Sequence, residues 1–242
     1  MAIFDGKNLK VSIGNLVFSQ HGKKTVVKSK PGVGGVRQTA ATKKSASVFG
    51  KHISPFAKQI RLAFNAIHQG LYDGTMVNRM NSAISTVIHQ HLENEDEFNF
   101  NEKSFQRLEG FDFNIHSPLY QSLLVKPDVF FYENHAEFCL PSFSISKNIR
   151  FPKNYTACTL QIQVALINKA QHRTFFYPID HILLHKYSRI FEGIKLSYDF
   201  GSGELVLIGI AMQFSESSAL IHQCHNGKLF HPSGIVAAWL VG

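Results

Sequence analysis

The sequence predicts an α+β chain: an N-terminal β-hairpin and a helical hairpin, followed by an antiparallel β-sandwich of which the jelly roll is one form. Three observations carry this. Residues 11–31 hold two runs of strand formers around a glycine turn, residues 37–88 space their apolar side chains by three and four, and from residue 111 the period falls to two. With 242 residues, 44% of them hydrophobic, the chain is long enough to bury a substantial core. Twenty-one Phe against one Trp favours packed cores and subunit contacts, because a phenyl ring has no polar atom needing a partner.

In the first element Ile13, Leu16 and Phe18 form one strand, Thr25, Val26 and Val27 the other, and His21-Gly22-Lys23 the connection, with Pro31 as its end. A two-stranded hairpin alone is marginally stable. Ile13, Leu16, Phe18, Val26 and Val27 are therefore read as an assembly arm that pairs with the C-terminal domain or with another subunit. Lys23, Lys24, Lys28 and Lys30 along it can meet phosphates or an acidic partner, or can be edge-strand lysines that discourage indiscriminate pairing. Pro31-Gly-Val-Gly-Gly-Val36 is a flexible bridge; a phosphate loop would need a Lys after its last glycine, and none follows.

From Arg37 the pattern is helical, with Ala40, Ala41, Ala46, Val48 and Phe49 interleaved with Lys43 and Lys44. Gly50 and Ser54-Pro55 mark a break at which Ser caps and Pro enters the first turn of a new helix. Phe56, Ile60, Ala63, Phe64 and Ile67 then share one face, and after Asp73-Gly74-Thr75 a third helix carries Met76, Met80, Ile84, Val87 and Ile88. A helix-turn-helix is disfavoured, because the connection from Gly50 to Pro55 is not the usual short turn and the second helix offers only Lys58 and Arg61. Glu93-Asn-Glu-Asp-Glu97 reads as a solvated linker, so the chain divides into an arm and bridge at 1–35, a basic helical region at 36–95 and a sandwich at 96–242.

Strand-like alternation then recurs at Phe111–Ile115, Glu137–Leu140, Phe143–Ser146, Ala157–Ile167, Arg173–Pro178, Gly193–Tyr198, Glu204–Phe214, Ala219–Cys224 and Ile235–Val241. Leu160, Ile162, Val164 and Leu166 fall on one face of the longest run. Gly201-Ser-Gly203 is expected as a hairpin loop, and Leu119–Leu124 and Asp180–Tyr187 as short helices.

Charge is the strongest asymmetry. Gly6–Tyr72 contains twelve Lys or Arg and no acid, whereas the remainder holds thirteen against seventeen acids, so +12 and −4 give the net +8. Such polarity fits nucleic acid, an anionic surface or the acidic part of a neighbouring copy. The residues offered for such contacts are Lys23, Lys24, Lys28, Lys30, Arg37, Lys43 and Lys44.

Nothing in the pattern assembles a catalytic set, and no enzyme activity, cofactor, metal or small-molecule substrate is expected. Cys139, Cys158 and Cys224 have no metal-ligand spacing and read as free thiols in a reducing compartment. His181 and His185 lack the Glu of a zinc peptidase helix, His89 and His91 would diverge on a helix, and His222-Gln-Cys-His225 is the best metal motif but is outweighed by a structural role. There is no G-x-S-x-G elbow, and Glu133, Glu137 and Asp180 read as surface or strand-end acids. The N-terminus has no secretory signal pattern and no window is apolar enough to span a membrane, so the expectation is a soluble chain, cytoplasmic or exported without a cleaved signal.

Gly14-Asn-Leu-Val, Lys24-Thr-Val-Val-Lys-Ser-Lys-Pro31, Arg37-Gln-Thr and the later Leu205-Val-Leu-Ile-Gly-Ile together resemble a family of uncharacterised proteins from Bacteroidota. In that family a short β segment ending in a Lys/Arg-x-Lys-Pro motif precedes helices and a β-rich end. The resemblance is firmest over the first ninety or so residues and implies an architecture and a bacterial or phage-related origin, with no catalytic residue to carry over. Two functional expectations follow: a structural protein that self-assembles into an oligomer or filament through its arm, and a nucleic-acid-binding protein that uses the acid-free stretch.

Overall fold

A computed structural model describes residues 2–4, 9–13, 15–21, 24–29, 39–94, 97–168, 173–216 and 226–242. The fold is α+β, and it divides into two compact units, Met1–Ser47 and Val48–Gly242.

In the first unit β1 (Ala2–Phe4), β2 (Leu9–Ile13), β3 (Leu16–His21) and β4 (Lys24–Ser29) form an antiparallel meander in sequence order. The expected hairpin is present as β3 and β4, with Phe18 opposite Val27 and Ser19 opposite Val26. Its first strand is shorter than expected. Ile13 pairs with Leu16 across a turn at Asn15, so two strands stand where the sequence predicts one. A four-stranded sheet thus replaces the lone hairpin. Helix α1 (Ala40–Val48) begins at Thr39, whose Oγ1 accepts the Thr42 N–H at 3.2 Å.

In the second unit the break expected at Gly50 is instead one π turn, Phe49–Ile53, leading into α2 (Ser54–Ala63). Pro55 occupies the first turn of α2, where its missing N–H costs no helical bond, while Ser54 donates its own N–H to the Phe49 carbonyl rather than capping. The short α3 (Asn65–His68) follows, then α4 (Met76–His91), whose buried residues Met76, Met80, Ile84, Val87 and Ile88 are the predicted stripe.

The remaining elements are β5 (Phe111–Asp112), α5 (Leu119–Ser122), β6 (Asp128–Phe131), β7 (His135–Leu140), β8 (Phe143–Ser144), α6 (Ile145–Asn148), β9 (Ala157–Asn168), β10 (Arg173–Phe176), β11 (Asp180–His185), β12 (Ile190–Phe191), β13 (Ile194–Asp199), β14 (Glu204–Ser215) and β15 (Ser233–Leu240). The principal sheet runs β10-β9-β14-β15-β5, with β11 also on β9; β13-β7-β6 is a second sheet and β12 pairs β8. All these pairings are antiparallel.

The twelve-residue strands β9 and β14 place alternate residues in two separate cores. One face of the sheet, with Leu160, Ile162, Val164, Val206, Ile208 and Ile210, packs with Ala136, Phe138 and Leu140 of the second sheet in a sandwich-like arrangement. The other face, with Ala165, Ile167, Leu205, Leu207 and Ala211, packs with Phe56, Ile60, Phe64, Ile67 and the α4 stripe. Helices α2, α3 and α4 therefore belong to the same compact unit as the sheet, Val48–Gly242. After α4 the Glu93 N–H donates to the Glu97 carbonyl and Leu92 bridges Phe98.

Three other expectations are corrected. Asp180–His185 is a strand, and its burial alternates with Ile182 and Leu184 inward, which a helix would not produce. Phe143–Ser144 is a strand but Ile145–Asn148 is helical. Gly201-Ser-Gly203 joins β13 to β14, which lie in different sheets, so it is a crossover and not a hairpin loop. Ala219–Cys224 lies outside the described residues.

Candidate functional site

The first unit is built from the residues that the sequence singles out. Its strand registers put Leu16, Phe18 and Val27 on one face of the β3–β4 ladder, and Lys24, Val26 and Lys28 on the other. Val11 and Ile13 are the β2 register partners of Phe18 and Leu16. The apolar face is open: Leu16 is 44% and Val27 51% exposed, and Phe18 is half-buried. Of the expected arm, then, Leu16, Phe18 and Val27 come together and Val26 faces away from them.

Lys24, Lys28, Lys43 and Lys44 are all exposed. Lys23, Lys30 and Arg37 lie outside the described residues, as do the Pro31–Val36 bridge and the His222-Gln-Cys-His225 motif. The division at Ser47 sharpens the charge pattern. Residues 1–47 hold nine Lys or Arg against Asp5 alone, and residues 48–242 hold sixteen of each sign, so the whole net charge of +8 belongs to the first unit.

In the second unit a buried polar cluster joins the helices to the ends of β5 and β15. Asp73, whose side chain is 1% exposed, accepts from the Thr75 N–H at 2.7 Å, the Thr75 hydroxyl, the Ile115 N–H at 3.2 Å and Arg79. Burial pushes its carboxyl up, but the Thr75 and Arg79 side-chain donors and the two backbone N–H groups outweigh it and hold it well below the usual carboxylate range. Arg79 also donates to the Asp112 carbonyl at 2.9 Å and lies 4.8 Å from the Phe111 ring centroid.

His231, fully buried, sits nearby. Its Nε2 donates to the Ile67 carbonyl at 2.8 Å, so Nδ1 is the acceptor for the Asn226 amide at 2.7 Å, and the ring is the neutral Nε2–H tautomer. His68 repeats the pattern, donating from Nε2 to the Arg61 carbonyl and accepting the Gly70 N–H at Nδ1. Burial lowers the pKa of both rings. Asn114 completes the cluster, donating to the carbonyls of Leu71 and Lys228. Each of these side chains has a backbone hydrogen-bond partner. The cluster holds the fold together. Its sequence signal was Asp73-Gly-Thr75 ahead of the α4 stripe; nothing near His231 announced its role.

The other singled-out residues disperse. His181 and His185 are exposed on β11, and Asp180 accepts the Tyr198 hydroxyl at 2.6 Å. Glu137 pairs with Lys195 at 2.7 Å and accepts the Tyr132 hydroxyl at 3.2 Å. Cys158 is buried and burial pushes its thiol far up, leaving it inert, while Cys139 is half-buried. Gln161 and Gln163 are buried with side-chain oxygens unpaired among the described residues. Among the described residues no three His, Cys, Asp or Glu side chains group as metal ligands, and no helix is long and apolar enough to cross a membrane.

Open clefts mark the surface of this unit among the described residues, and two of them are lined by residues of opposite charge. One, of about 370 Å³, is lined by Lys51, His52, Lys58, Gln59, Leu62 and Thr174 beside the π turn. The other, of about 450 Å³, is lined by Glu102, Phe131, Tyr132, Glu133 and Trp239. No protein-family model, no curated protein and no solved structure matches the chain.

Proposed function

We propose that this chain is a non-enzymatic structural protein that self-associates, into an oligomer or filament, through its N-terminal unit. The observation that carries the reading is the open apolar face formed by Leu16, Phe18 and Val27 on a four-stranded sheet. A sheet with an apolar face is stable when a second layer covers it, and an exposed one marks an interaction surface. A sister copy supplies an identical face, which is the arrangement of a symmetric interface. The opposite face, with Lys24 and Lys28, keeps the unit soluble.

The test is light scattering on the full chain across a concentration series, beside Leu16→Lys and Val27→Lys variants. Assembly that grows with concentration and is lost in the variants supports the reading, and a monodisperse monomer at high concentration overturns it.

A second reading has its own observation, the confinement of the entire +8 to 47 residues with Lys24, Lys28, Lys43 and Lys44 exposed. Nucleic-acid binding through these lysines would weaken steeply with salt, because each neutralised phosphate releases counterions. A gel-shift series with duplex and single-stranded DNA tests it; no complex at low salt removes it.

A further inference from the structure

Resting on the self-association just proposed, we propose that the cleft between Glu102 and Glu133 receives a lysine side chain from the basic N-terminal unit of a second copy of this chain.

The cleft has two kinds of wall. Phe131 and Trp239 stack with ring centroids 5.1 Å apart and planes inclined by 9°, giving a flat aromatic wall. Tyr132 stacks on His135 at 4.6 Å, and its hydroxyl is tied to Glu137, which is itself held by Lys195. Both aromatic walls are thus fixed before anything binds. The backbone is fixed too: the Leu240 N–H donates to the Glu102 carbonyl at 3.1 Å, and the Tyr132 N–H to the His135 carbonyl at 2.9 Å. On this frame Glu102 and Glu133 are exposed, and neither makes a side-chain hydrogen bond or ion pair with any described residue.

These walls select one chemistry. Aromatic faces take the methylene stem and favour a cation over the ring, and free carboxylates take an ammonium head. An anionic ligand meets two like charges, and a purely apolar one gains nothing from either carboxylate. Within the chain the cations are concentrated in residues 1–47, where eight of the nine basic residues are Lys and only Asp5 opposes them. Lys24 and Lys28 project from one face of an edge strand and are exposed, so they can enter a cleft while Leu16, Phe18 and Val27 remain on the other face. Charge complementarity therefore names the occupant.

The chain has a single Trp, and it stands in this cleft, so its emission reports on occupancy. The experiment follows Trp239 fluorescence and light scattering of the full chain across a concentration series, beside Glu102→Gln/Glu133→Gln and Lys24→Gln/Lys28→Gln variants checked by circular dichroism. The expected result is emission that changes in step with assembly, with each double variant shifting the midpoint about tenfold or more to higher concentration. Assembly with silent emission and an unmoved midpoint in Glu102→Gln/Glu133→Gln overturns the cleft assignment and leaves self-association standing. Absence of assembly in the unaltered chain overturns both. Emission that responds to added spermidine but not to protein concentration assigns the cleft to a free polyamine and overturns the inference.

Discussion

The ring of Phe64 lies directly against the backbone of Gly209, so close that a Cβ on residue 209 would stand 2.6 Å from Phe64 Cε1 and 3.1 Å from Ile67 Cδ1. Gly209 is also where the register between β14 and β15 shifts, so the helix that follows α2 seats in the irregularity of the central sheet. Both ring and methyl belong to fully buried side chains with nowhere to move. Gly209→Ala is accordingly expected to destabilise the second unit by about 1–3 kcal/mol, the usual cost of overpacking. Urea denaturation followed by circular dichroism measures it, and a midpoint within error of the unaltered chain would contradict the packing described.

Asp73 is the second point of leverage. Its carboxylate serves four donors from three segments, α4, its preceding turn and Ile115. Asp73→Ala leaves Arg79 and the Ile115 N–H without that acceptor, and the expected loss is about 3 kcal/mol. Because the folded carboxyl titrates below its unfolded value, the stabilisation is full above about pH 4 and declines as pH falls further. Denaturant midpoints taken from pH 5 down to pH 2 should therefore converge between the variant and the unaltered chain.

A different pH window belongs to His68 and His231. Their folded pKa values lie below the unfolded value of about 6.5, so the unfolded chain binds protons that the folded chain refuses. Stability from this source is complete above about pH 6.5 and falls as pH drops, by at most about 1.4 kcal/mol per pH unit for each ring. The structural reason is that a proton on Nδ1 would confront the Asn226 amide in one case and the Gly70 N–H in the other. Urea midpoints at steps between pH 8 and pH 5 give the slope, and a flat profile would count against both rings staying neutral in the folded chain.

The elements legible in the sequence were those with long apolar patterns. Ala157–Asn168 and Glu204–Ser215 are twelve-residue runs rich in apolar residues and buried on both faces, and α4 repeats its stripe from Met76 to Ile88, so burial specifies them. Asp180–His185 misled because Asp-His-Ile-Leu-Leu-His carries two adjacent leucines. One of them, Leu183, is 57% exposed while Leu184 is buried, and residue type could not tell them apart. The short β6 was missed because Asp128–Phe131 is too brief to show a period. The π turn at Phe49–Ile53 has no sequence signature beyond a Pro that also fits a break.

The surface features were less legible still. Basic charge in the N-terminal stretch is plain in the sequence, but its confinement to residues 1–47 depends on where contacts thin out along the chain. The cleft of Glu102, Phe131, Glu133 and Trp239 joins positions more than a hundred residues apart, and only the placement of β15 beside residues 102 and 131 creates it. Glu133 read as an ordinary surface acid for that reason.

The strands β9 and β14 are a party wall between two rooms, with every second side chain serving each side. Neither room can empty while the wall stands, and the wall cannot stand with one room empty. Val48–Gly242 should therefore melt as a single calorimetric event, with equal calorimetric and van't Hoff enthalpies, so that damage beneath the helices is felt at once by the sheet-on-sheet layer behind.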